Sequence, residues 1–89
     1  MEIKIKKESA KEMEFEVISE KTILNPLKEK LLEYEEVEYA EWNVPHPLVA
    51  NPEFYVRVSK GKAKDVVKKA VRELKEEIEE LMKQLEEKE

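Results

Sequence analysis

An apolar seam near the carboxyl end of this 89-residue chain constrains its fold more than any other feature. Val67, Val71, Leu74, Ile78, Leu81 and Leu85 follow one another at spacings of 4, 3, 4, 3 and 4, the heptad pattern of a helix with one buried stripe. A helix from Lys64 to Glu86 is ~35 Å long at about 1.5 Å per residue, whereas a strand of about six residues spans only ~20 Å. A sheet of short strands therefore covers the start of the seam and leaves Ile78, Leu81, Met82 and Leu85 without enough of this chain to bury them. Geometry alone favours a partner over the alternative of a helix lying diagonally across the sheet with frayed ends.

Short strands are what the rest of the chain supplies. Ile3 and Ile5 alternate with Glu2, Lys4 and Lys6, and beyond Glu8-Ser9-Ala10-Lys11 the residues Met13, Phe15 and Val17 alternate with Glu12, Glu14 and Glu16. This period of two predicts a hairpin with one buried face, and with lysines of the first strand set near glutamates of the second on the other. From Thr22 the period changes. Leu24, Leu27 and Leu31, widened by Leu32, predict a short amphipathic helix ending near Tyr34. Pro26 belongs in its first turn, since a proline further inside costs ~3 kcal/mol. Either Asn25 is the N-cap with Pro26 first in the helix, or the helix starts at Thr22 with an irregular turn. Glu36 to Val44 reads as a strand whose alternation shifts phase, the mark of a bulge or of an end covered on both faces. Three of the four prolines lie between Pro45 and Pro52, an extended connection. Phe54, Val56 and Val58 form a fourth strand, and Gly61, the only glycine, sits at the turn into the last helix. The expected architecture is α+β: a four-stranded, mainly antiparallel sheet with two helices in the order ββαββα, one domain over residues 1–89.

Composition removes several classes of function. Hydrophobic residues are 40% of the chain, enough for one modest core, and charged residues are 44%, far above the roughly 25% of an average soluble protein. With 22 acids against 17 bases the net charge is −5, so the chain lacks the basic field that attracts a phosphate backbone, and direct nucleic-acid binding is not expected. With no cysteine and one histidine, there is neither a disulfide framework nor the material for a thiolate or multi-histidine metal site. The amino terminus has no apolar run approaching the roughly 20 residues of a membrane span, and the chain is read as soluble and cytoplasmic. The bias towards Glu and Lys matches a thermophile-like surface.

Residues that invite a catalytic reading have no companions. His46 has neither a cysteine nor a second histidine to join it and is read as fixing the Pro45-His46-Pro47 connection. Glu35, Glu36, Glu38 and Glu41 lie among solvated neighbours, unlike the desolvated pairs used for acid and base chemistry. Lys60, Lys62, Lys64, Lys68 and Lys69 form a basic cluster, but Glu73, Glu76, Glu77, Glu79 and Glu80 follow on the same helix. Lys60-Gly61-Lys62 lacks the glycine spacing of a phosphate loop.

Three motifs, with the order of elements, resemble the archaeal RNA polymerase subunit L family, related to eukaryotic Rpb11-type subunits and distantly to the dimerisation domain of the bacterial alpha subunit. They are Glu20-Lys21-Thr22-Ile23-Leu24-Asn25-Pro26-Leu27, the strand Val37 to Val44 running into Pro45-His46-Pro47-Leu48, and Phe54-Tyr55-Val56-Arg57-Val58-Ser59-Lys60-Gly61-Lys62 before the long helix. Lys21 stands where the family usually has histidine, and Pro26 where it has a helix leucine. The resemblance covers essentially the whole chain. It implies a non-catalytic subunit without cofactor or metal, which forms a heterodimer with the larger D-type assembly subunit of the archaeal enzyme. That pair is the platform on which the large polymerase subunits assemble. The resemblance also implies an interface drawn from Thr22, Leu24, Asn25, Leu27 and Leu31, from His46, Pro47 and Leu48, and from Val67, Val71, Leu74, Ile78, Leu81 and Leu85. The alternative is a free-standing homodimeric module that keeps the fold without the polymerase.

Overall fold

Each alternating segment has one apolar face, and in a computed structural model of the chain those faces meet under two helices. The structure describes residues 2–18, 21–45 and 51–87. Strands β1 (Ile3–Glu8) and β2 (Glu12–Val17) form the expected hairpin, followed by α1 (Leu24–Leu32), β3 (Val37–Asn43), β4 (Glu53–Val58) and α2 (Ala63–Glu87). The sheet order is β1-β2-β4-β3 with every neighbouring pair antiparallel. The two best-alternating strands thus occupy the centre, and β1 and β3 are edges.

The centre carries the core. Phe15 faces Phe54 across β2 and β4, their rings stacked at 5.4 Å between centroids. Met13, Val17, Val56 and Val58 complete the covered face, and Leu24, Leu27 and Leu31 of α1 with Ala63, Val66, Val67 and Ala70 of α2 close over it. The opposite face is polar. Lys4 lies across from Glu16 as the alternation predicts, the Lys6 ammonium donates to Glu53 at 2.7 Å, and Tyr39 meets Tyr55 edge-on at 5.6 Å.

Several local expectations need correction. Ile5 shares the covered side by parity but is 43% exposed, on an edge strand whose register slips between Ile5 and Lys7. Asn25 is not an N-cap: a 3-10 turn at Lys21–Ile23 leads into α1, with Ile23 as the capping residue and no side-chain cap. The irregular start is therefore the correct alternative, and Pro26 is harmless in the first helical turn because the amide it lacks would have no partner there. Freed from capping, Asn25 accepts the indole N–H of Trp42 at 3.0 Å. Leu32 does not widen the buried stripe. It lies about 100° round the helix from Leu31 and points to solvent. The phase change in β3 is a register shift between Val37 and Tyr39. Gly61 turns the chain into α2 with φ of 77°, a conformation that a side chain at Cβ disfavours.

Candidate subunit interface

The sheet needs only the first half of α2. At 25 residues this helix is ~37 Å long at about 1.5 Å per residue, nearly twice the span of the strands beneath it. Val66, Val67 and Ala70 are buried, Val71 and Leu74 are half-buried, and Ile78, Leu81, Met82 and Leu85 are exposed by 50%, 57%, 56% and 61%. One heptad stripe thus begins as core and ends as open apolar surface. Isolated exposed leucines are ordinary, but a contiguous stripe at helical spacing is the form of a docking surface.

Polar contacts tie α1 to the middle of α2, as far as Glu77. The Lys30 ammonium, on a side chain otherwise buried against the core, donates to Glu77 and lies 3.9 Å from Glu33. The Tyr34 hydroxyl donates to Glu73 at 2.5 Å, and the Lys69 ammonium lies 4.6 Å from the centre of the Tyr34 ring. The Glu77 hydrogen bond holds the Lys30 ammonium above its ordinary value of 10.5. Burial first, and then the Glu73 carboxylate, push the Tyr34 hydroxyl well above its ordinary 10.0. At neutral pH both groups keep their protons, so both contacts stand.

Residues singled out from sequence fall into three groups. Leu24, Leu27, Leu31 and Val67 are buried in the chain's own core, where they secure the helix carrying the seam and offer no free surface to a partner. Thr22 and Asn25 are exposed at the start of the first helix, while Val71, Leu74, Ile78, Leu81 and Leu85 lie along one line on α2. His46, Pro47 and Leu48, with most of the Pro45 to Pro52 connection, lie outside the described residues. Sequence reasoning missed the contacts of Lys30 and Tyr34 with α2. Both residues continue the three- and four-residue spacing of Leu27 and Leu31, which was the available signal, but their partners depend on how α1 and α2 lie side by side.

Among the described residues the rest of the surface offers no comparable apolar stripe. A shallow depression on the open sheet face is lined by Glu14, Tyr39, Tyr55 and Arg57, where the Tyr55 hydroxyl donates to Glu12 and Arg57 pairs with Glu38 at 3.2 Å. Among the described residues no group of three His, Cys, Asp or Glu is placed to hold a metal ion, and no helix is long and apolar enough to cross a membrane.

The chain is similar to known proteins over most of its length. The model of the RNA polymerase Rpb3/Rpb11 dimerisation domain matches residues 12–84. A DNA-directed RNA polymerase subunit Rpo11 from Methanococcoides burtonii is 39% identical over 83 residues, covering 92% of this chain and 91% of the relative. The Rpo11 of Thermoplasma acidophilum is 42% identical over 53 residues, 60% of this chain, and there the match spans only 48% of the relative. With the Thermoplasma volcanium protein it spans 59%, so the chain accounts for only about half the length of these relatives. A crystal structure of DNA-directed RNA polymerase subunit L from Thermoplasma acidophilum superposes with a TM-score of 0.84 at 30% identity, covering 98% of this chain and 87% of that one.

Proposed function

Because the chain belongs to the RNA polymerase Rpb3/Rpb11 dimerisation-domain family, we propose that it is the small, non-catalytic assembly subunit of an archaeal DNA-directed RNA polymerase. In this role it pairs with the larger D-type partner, and the pair is the platform on which the large subunits assemble. The observation that carries the reading is the exposed outer seam of α2, Ile78, Leu81, Met82 and Leu85, on a helix braced against α1 and presented clear of the sheet. Such a surface does its work by association. Burying a leucine side chain from full exposure is worth ~1.5–3 kcal/mol, so closing a partner helix over these half-exposed residues adds a favourable contribution that offsets part of the cost of association. Thr22 and the His46-Pro47-Leu48 motif are assigned to the same assembly surface on the strength of the family resemblance.

Co-expression with an archaeal D-type partner, followed by size-exclusion chromatography with light scattering, tests this directly. The expected product is a one-to-one complex that Ile78→Glu with Leu81→Glu abolishes, since each carboxylate is then buried without a partner. A chain that ignores the D-type partner, or a complex indifferent to the double substitution, contradicts the assignment.

A further inference from the structure

The two edges of the sheet differ. On the β3 side, Val58 N–H donates to the Lys11 carbonyl at 2.9 Å and Ser59 N–H to the Glu36 carbonyl at 2.8 Å, so successive residues of β4 turn their backbone groups to opposite neighbours. Glu53, Tyr55 and Arg57 therefore face β3, their partners Asn43, Glu41 and Tyr39 face back, and the backbone groups of Ala40 and Trp42 turn outward. That outer edge is already taken. Ala40 is only 5% exposed, and Trp42 N–H donates at 3.1 Å to the Glu41 carboxylate, which the Lys28 ammonium of α1 grips at 2.9 and 3.0 Å.

On the β1 side, Ile18 N–H donates to the Glu2 carbonyl and Val17 N–H to the Pro52 carbonyl, both at 2.8 Å. By the same alternation Glu14 and Glu16 present their backbone groups to β1, and those of Ile3 and Ile5 point away from the sheet. Among the described residues nothing covers this edge: Lys4 to Glu8 are all exposed. The side chains of β1 indicate what fits beside it. On its inner side Lys4 lies across from Glu16, Ile5 from Phe15 and Lys7 from Glu14, so the chain already pairs this strand with alternating glutamates and apolar residues. Strand side chains stand above and below the sheet, and the same lysines and isoleucine meet a neighbour on the outer side. They have capacity to spare, since Ile5 is half-exposed and neither Lys4 nor Lys7 forms a salt bridge among the described residues. Lysines and a slipped register blunt an edge against strands of its own kind by setting like charge opposite like. They do not repel carboxylates.

We infer that the free edge of β1 is a strand-addition site for an extended protein segment in which acidic and apolar residues alternate. Its backbone bonds Ile3 and Ile5, its apolar side chains cover Ile5, and its carboxylates meet Lys4 and Lys7. This site does not depend on the assembly role proposed for α2.

The probe is a synthetic peptide of about seven residues alternating glutamate and valine, with a lysine–valine peptide as the control. Titrated into the full chain and followed by amide NMR, the acidic peptide should shift the Ile3 and Ile5 resonances and slow exchange of their N–H groups, leaving Ala40 and Trp42 unchanged. Binding should weaken between about 50 mM and about 500 mM salt as screening shortens to a few ångströms, and the lysine peptide should not bind. Lys4→Gln with Lys7→Gln should lower affinity on the order of tenfold. Ile5→Pro should abolish binding, because it removes an outward N–H that the ladder with β2 does not use and proline is tolerated on an edge strand. Circular dichroism checks that both variants stay folded. No binding at millimolar peptide, shifts confined to the lysines from Lys60 to Lys68, equal binding of the lysine peptide, or a folded variant of either kind that binds as wild type does overturns the inference.

Discussion

Leu27 and Leu32 lie five positions apart on one short helix and have opposite fates: Leu27 is fully buried and Leu32 is 51% exposed. Residue type is the same, so the difference comes from phase. Leu27 falls on the line of Leu24 and Leu31 that faces the sheet, and Leu32 falls off it. The leucines of α1 that carry the most regular spacing are therefore core residues, and their effect on any partner is through the fold. Leu27→Ala is expected to lower the stability of the isolated chain by about 2–5 kcal/mol, the range for removing a buried leucine from a packed site. Leu32→Ala should change it by less than about 0.5 kcal/mol. Urea denaturation of the two variants at equal concentration separates the roles, and equal losses would show that α1 is not seated as described.

Between elements, the informative contacts join α1 to α2. Tyr34 and Lys30 have hydroxyl and ammonium protons held more tightly in the folded chain than in the unfolded one, so their contribution to stability is complete below the ordinary values of 10.0 and 10.5 and is lost as pH rises through the raised folded values. Wild-type stability should therefore decline from about pH 10 upward, and Tyr34→Phe should remove the tyrosine share of that slope. Chemical denaturation between about pH 8 and about pH 11.5 measures it, and identical slopes in the two proteins would mean that neither burial nor the Glu73 carboxylate holds the Tyr34 proton in the folded chain. At this scale, legibility from sequence depended on whether a feature is periodic within one element. The alternation of Met13, Phe15 and Val17, the seam of α2 and the phase change in β3 are internal patterns, and the structure has all three. Ile5, Asn25 and the Lys30 and Tyr34 contacts depend on which strand lies at the edge and how two helices sit together, and neither is encoded in the period of any one segment. The exposed seam was legible for the same reason as the buried one: both are one heptad stripe, divided only by where the sheet ends.

For the whole molecule, that division separates the core-packed half of a single helix from the half left open. The core closes over Val66, Val67 and Ala70, and the contacts from α1 reach no further than Glu77. Beyond that point every described residue of the helix is exposed, and most helical stability in proteins comes from packing of an amphipathic face. Amide hydrogens from 79 to 87 should therefore exchange close to the rate of an open chain in the isolated protein, while those of β2, β4 and the first turns of α2 exchange only with global unfolding. Binding of the D-type partner should slow exchange selectively in 79–87, because the partner supplies the surface that the sheet is too short to provide. Ending the chain after Ile78 should leave denaturation of the remainder nearly unchanged and abolish the complex. Strong protection of 79–87 in the monomeric isolated chain would instead mean that the outer helix is stabilised without a partner, and the seam would then lose its claim to be an unfilled half of an interface.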